Sequence, residues 1–131
     1  MTTPERRSHR GQDASEAAHL QLQQVVRDFD LDECILCDDA GRLLATSGTA
    51  SEFHRALAEA SPRLAAGGAC RLTYSRLNKF KSIHPNQVST CRFKTEGQTF
   101  FITALGTMST MRDVGMYRAV IGLRRITKEF A

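Results

Sequence analysis

The sequence predicts an α/β (α+β) domain: a five-stranded antiparallel sheet with helices on both faces, in the order α-β-β-α-β-β-β-α. Three observations carry that expectation. Apolar residues recur at helical spacing in three stretches, Ala18–Phe29, Phe53–Leu64 and Met116–Phe130. A tight turn, Asp38-Asp39-Ala40-Gly41, separates two short apolar runs. The alternating run Val88–Lys94 and the apolar run Thr99–Leu105 flank a second turn. Helices and strands interleaved over 131 residues suit one domain with its sheet covered by helices.

Residues 1–12, polar and basic with little to bury, read as a disordered tail ahead of a domain over 13–131. From Ser15 to Phe29, the residues Ala18, Leu22, Val25, Val26 and Phe29 describe an amphipathic helix that Asp13 or Ser15 can cap. Its pattern breaks at Asp28-Phe29-Asp30. Cys34–Cys37 then reads as a buried strand, and Arg42–Ser47 as its hairpin return, with Gly41 supplying positive φ in the turn. A second helix starts near Ser51, with Phe53, Ala56, Leu57, Ala60 and Leu64 along one stripe. Pro62 is expected to kink or interrupt it, since it has no N–H for the i→i−4 bond. Residues 69–78 fit a helix or a strand equally. Lys79–Ile83 is expected as a short third strand stopped by Pro85, with Val88–Lys94 and Thr99–Leu105 as the fourth and a central fifth. Residues 107–113 read as a loop, and Met116, Ala119, Val120, Leu123, Ile126 and Phe130 as a closing amphipathic helix.

Charge is unevenly distributed. Residues 1–70 carry 7 Lys/Arg against 11 Asp/Glu, whereas residues 71–95 carry Arg71, Arg76, Lys79, Lys81, Arg92 and Lys94 with no acid. A block of one sign can steer an acidic partner, and Arg71, Arg76 and Lys81 are the candidate partner-binding residues. No stretch approaches the roughly 18 apolar residues of a membrane span, so no membrane partner is expected. Without an apolar export signal the expected address is the cytoplasm and the cysteines are expected to be reduced thiols. The pI of about 9.1 raises nucleic acid as a partner. The basic block offers only Tyr74, Phe80 and Phe93 for stacking, with Phe93 expected inside, so nucleic acid is disfavoured.

The residues able to carry chemistry each have a structural reading. Cys34-x-x-Cys37 has redox or zinc spacing, but residues three apart in a strand point to opposite faces. These two read as small apolar core residues. His9, His19, His54 and His84 are scattered and read as surface histidines, although Ser51 lies three residues before His54. Asp38 and Asp39 suit the turn's own backbone bonding. Gly67-Gly68 lacks the following Lys-Ser/Thr of a phosphate loop. No catalytic residue, cofactor site or metal site is assigned, and the chain reads as a binding protein rather than an enzyme.

The stretch Cys34-Ile-Leu-Cys-Asp-Asp-Ala-Gly-Arg-Leu-Leu-Ala-Thr-Ser-Gly48 resembles the first hairpin of roadblock domains. Gln98–Leu105 followed by Gly115–Ile126 resembles that family's last strand and last helix, and the resemblance spans about residues 15–130. It is similar in particular to the bacterial MglB-type members, which regulate a small Ras-like GTPase in polarity and motility. The resemblance implies a roadblock/profilin-like fold and a homodimer, or a roadblock-like heterodimer, with the third strand pairing to its twin. The corresponding interface residues are Phe53, Leu57 and Leu64 on the second helix and Lys79, Phe80 and Ile83 on the third strand. An edge strand left bare is an aggregation hazard, which gives such pairing a physical motive, while Lys79 and Lys81 would meet like charges across a two-fold. The function implied is a regulatory or scaffold subunit acting on a small GTPase or a multiprotein complex, without its own active site. If GTP hydrolysis is stimulated, reshaping of the GTPase's switch loops is the expected route. The alternative is a GAF-like small-ligand sensor, which requires a pocket of several hundred Å³ between sheet and helices.

Overall fold

The computed structural model describes the backbone of residues 3–67 and 71–130 and the side chains of residues 13–67, 73–128 and 130. The helix α1 (Thr3–Asp28) ends where the apolar pattern breaks, and Asp30 takes the left-handed conformation, φ 54°, that turns the chain into β1 (Glu33–Asp38). The expected basic tail over 1–12 falls on residues whose side chains lie outside the described residues. Two lysine-free loops then lead through β2 (Leu43–Thr46) to α2 (Glu52–Ala65), whose first turn is capped by Ser51. The remaining elements are α3 (Arg71–Asn78), β3 (Val88–Thr95), β4 (Gln98–Leu105) and α4 (Ser109–Thr127), with one-turn 3-10 helices at Pro85–Gln87 and Lys128–Phe130.

Among the described residues the sheet has four antiparallel strands in the order β2-β1-β4-β3, not five. Lys79–Ile83 is the missing strand, and local bonds explain its loss. The N–H groups of Phe80 and Lys81 donate to the Leu77 carbonyl at 3.0 and 3.2 Å, and that of Ile83 donates to Asn78 Oδ1 at 2.8 Å. Donors closed onto the end of α3 are unavailable to a ladder. The ambiguous 69–78 segment is therefore helical from Arg71, and it continues into a turn rather than a strand.

Period-two alternation places two cores on the two faces of the sheet. Cys34, Leu36, Phe93, Phe100 and Ile102 face α1 and α4, while Ile35, Cys37, Phe101 and Leu105 face α2 and α3. Cys34 and Cys37 thus point in opposite directions, as strand geometry demands. Phe93 is buried and stacks on Phe100 with ring centroids 5.5 Å apart, which removes it as a nucleic-acid stacking group. The expected loop over 107–113 is shorter than anticipated, because α4 already begins at Ser109. Buried Arg112 sits in that first turn, where its guanidinium bonds Ser89 Oγ at 2.8 Å and the Gly106 carbonyl. No helix is long and apolar enough to cross a membrane among the described residues.

Pro62 does not interrupt α2, which runs on to Ala65. The carbonyl that Pro62 leaves without an N–H partner belongs to Ala58, and the Cys37 thiol donates to it from β1. Beside it, Ser61, Thr103 and Thr90 form a hydroxyl chain between α2 and the sheet, with O···O distances of 2.6 and 3.0 Å. Buried polar groups are tolerated when partnered in this way.

Candidate functional site

The face of the molecule carrying α2 and α3 holds almost all of the residues singled out in the sequence. Along the outer side of α2, Arg55, Glu59 and Arg63 follow one another at i, i+4 and i+8, so all three face solvent. Between this helix side and its neighbours run two clefts that share Ala56 and Glu59. One, of about 320 Å³, lies against α3 and is bordered by Ala40, Ala60, Arg63, Thr73 and Arg76. The other, of about 530 Å³, lies against the hairpin turn and is bordered by Gly41, Arg42, Leu43, Arg55 and Phe80. Together they form a shallow groove with an alanine floor and a rim in which arginines outnumber carboxylates.

The hairpin turn forms one wall because Asp38 fixes it. Asp38 Oδ1 accepts from the N–H groups of Ala40 and Arg42 at 3.0 and 2.9 Å, while Oδ2 pairs with Arg42 Nε at 2.8 Å. Gly41, at φ +80°, brings the turn against α2 so closely that a Cβ there would lie 3.0 Å from Glu59 Cα. The turn carboxylate is spent on backbone geometry, as the turn chemistry anticipates.

A second polar cluster pins the segment after α3. Glu33 bonds His54 Nε2 with one oxygen and Lys81 Nζ with the other, the latter at 2.7 Å. His54 Nδ1 lies 2.7 Å from Ser51 Oγ, and Lys81 sits 5.7 Å above the Phe53 ring. Burial pushes the Glu33 carboxyl up, but the Lys81 and His54 hydrogen bonds and charges outweigh it and hold it below its usual value. His54 is therefore not the surface histidine anticipated: it is buried and bridges α2 to β1. The members of this Ser-His-Glu grouping are each engaged in holding the fold. Ser51 is engaged as the α2 cap, and the second Glu33 oxygen is taken by Lys81.

The proposed interface residues divide by burial. Phe53, Leu57 and Ile83 belong to the core under α2, and Leu64 is half-buried at its margin. Lys79 and Phe80 are at the surface, with Phe80 49% exposed. Of the proposed partner-binding residues, Arg76 is exposed on the groove rim, Lys81 is paired with Glu33, and the Arg71 side chain lies outside the described residues. Arg92 and Lys94 are exposed on the same face of the sheet, since Arg92 pairs in register with inward-facing Phe101. Sequence reasoning passed over Arg42, Arg55 and Arg63, yet the spacing of Arg55 and Arg63 at two helical turns was a usable signal.

No group of three His, Cys, Asp or Glu side chains suited to a metal occurs among the described residues. Burial alone drives the Cys34 thiol up to about 12, and burial foremost drives Cys37 to the same value, so neither is a poised thiolate.

Among solved structures, Myxococcus xanthus MglB superposes on this chain with a TM-score of 0.55, covering 88% of this chain and 91% of that one. The fold is the roadblock fold of MglB. Sequence identity across the match is 12%, so what is shared is the path of the backbone. No protein-family model matches the sequence, and no curated protein matches it. Within this fold the groove lies over the second helix beside the β1–β2 hairpin, and β2 and β3 are the two edges of the sheet.

Proposed function

We propose that this chain is a roadblock-type regulatory or scaffold protein that binds a small Ras-like GTPase, or a complex containing one, through the α2–α3 face. The observation that carries the reading is the MglB-like fold over 88% of the chain. The groove supports it: an apolar floor of Ala56 and Ala60, an exposed Phe80 and a rim of Arg55, Arg63 and Arg76 suit an acidic protein surface. In this reading the chain has no active site of its own and acts by favouring one conformation of the GTPase switch loops.

Two copies are proposed to act together. With Lys79–Ile83 closed onto α3, β3 becomes an edge strand, as β2 is at the other end of the sheet, and it is the edge proposed to meet a second chain; Phe80 stands exposed beside the groove. The small-ligand alternative is less favoured, because the two clefts of the α2–α3 face lie outside α2 rather than between it and the sheet.

The test is calorimetric titration of the full chain with the source organism's Ras-like GTPases, each loaded with GDP or a non-hydrolysable GTP analogue. Binding to one nucleotide state, weakened at least about tenfold by R63E/R76E, is expected from lost charge complementarity. Absence of binding in both states, or indifference to that charge reversal, would dismiss the reading. Light scattering distinguishes a dimer from the 14.6 kDa monomer independently.

A further inference from the structure

On the face of the sheet opposite the groove, α4 buries Met116, Ala119 and Leu123 against the core. Its outward side should then be polar. It is not: Val114, Tyr117 and Ile121 are 47%, 71% and 57% exposed. Spaced three and four residues apart, they share one strip of helix surface.

Positive charge predominates around that strip, with exposed Asp113 at its N-terminal end. Arg118 lies four residues after Val114 and three before Ile121, while Arg124 and Arg125 lie three and four beyond Ile121. All three are exposed, and none has a carboxylate within ion-pair distance among the described residues. Asp113 is the single acid in Ser109–Thr127. Exposed Val, Tyr and Ile flanked by three arginines and one acid is the composition of an interface rather than of a solvated face.

We propose that this face of α4 docks an acidic amphipathic helix of a partner protein. The partner's apolar stripe would cover Val114, Tyr117 and Ile121, and its flanking Asp and Glu would pair with Arg118, Arg124 and Arg125. Charge complementarity selects this occupant over a second copy, because α4 against α4 across a two-fold would set unpaired arginines against one another. Helix-on-helix docking also uses the i, i+3, i+7 spacing that the strip presents. The site faces away from the α2–α3 groove, so one chain can hold two different proteins at once, as a scaffold must. The proposal does not depend on the GTPase reading.

The test places the photo-crosslinking residue p-benzoylphenylalanine at position 117 of the full chain, irradiates it in a lysate of the source organism, and maps the joined peptide by mass spectrometry. A segment rich in Asp and Glu with apolar residues at helical spacing is expected. A synthetic peptide of that segment should bind the purified chain, and R118E/R124E/R125E should weaken it at least about tenfold while circular dichroism stays unchanged. A cross-link to this chain's own α4, to lipid or to a segment without acids would overturn the proposal. So would labelling no stronger than from the same residue placed at exposed Glu16, or a peptide indifferent to the charge reversal.

Discussion

The Cys37 thiol donates a hydrogen bond to the carbonyl oxygen of Ala58 across 3.6 Å, joining β1 to the one carbonyl that Pro62 deprives of its helical partner. Burial keeps this thiol protonated and therefore a donor. A proline that would break an isolated helix is accommodated because a strand beneath supplies the missing hydrogen. Removing the thiol in C37A is expected to cost about 1–3 kcal/mol, from a small cavity and an orphaned carbonyl. In a P62A background the helix regains its own N–H, so the same change should cost about 0.5–1 kcal/mol less. Urea denaturation of the four proteins in this cycle checks it; strict additivity would show that the thiol does not serve Ala58.

The hairpin turn and α2 are in backbone contact at Gly41. Both Gly41 and Gly97 hold positive φ, +80° and +82°, but only at Gly41 does a Cβ meet a neighbour. G97A should therefore lose about 1 kcal/mol to backbone strain alone, and G41A about 2–3 kcal/mol because strain and collision combine. Equal losses in thermal or urea unfolding would mean that the turn can back away from α2.

Glu33 makes stability depend on acid. Its carboxyl is held below the usual 4.5, so the unfolded chain takes up this proton first as pH falls. The stabilisation is complete above the unfolded value and is lost as pH drops through the folded one. E33Q, which keeps one accepting oxygen but sets an NH2 against the other donor and removes the negative charge, should destabilise by about 1–3 kcal/mol at neutral pH. The gap from the unsubstituted protein should narrow below about pH 4.5, as unfolding midpoints along a pH series would record. A gap constant with pH would refute the charged network.

Cys34 and Cys37 should resist modification while the fold persists. Their thiols ionise near 12 in the folded chain against an ordinary 9.0, so their contribution to stability is intact below about pH 9 and fades as pH rises towards 12. With Cys70 and Cys91 replaced by Ser, the chain should not react with an aromatic disulfide reagent at about pH 8 until denaturant is added. Prompt reaction would reveal an open path into one of the two cores.

Much of the fold could be read from residue spacing. Helical periodicity located α1, α2 and the body of α4, alternation located β3, and a continuous apolar run located β4, because burial on one face or on both imposes those patterns on the chain itself. Lys79–Ile83 misled for a definite reason. Its composition suits a short strand, but its backbone donors are captured by Leu77 and Asn78 at the end of α3, a competition that composition does not display. The groove was half legible. Arg76 and Phe80 stood out in the sequence, whereas Ala40, Gly41 and Ala60 become walls and floor only when the turn, α2 and α3 converge.

By itself the sequence determined that apolar residues would be sorted onto the two faces of a helix-covered sheet, and that Asp38 and Gly41 would turn the hairpin. Those outcomes follow from periodicity and local backbone preference, which act between near neighbours. The tertiary structure alone decided that Pro62 stays helical, that His54 is buried between Ser51 and Glu33, and that Lys81 is held by Glu33. Each of these depends on an atom supplied from tens of residues away, and the free energy of a buried polar group is set by whichever partner the fold delivers to it.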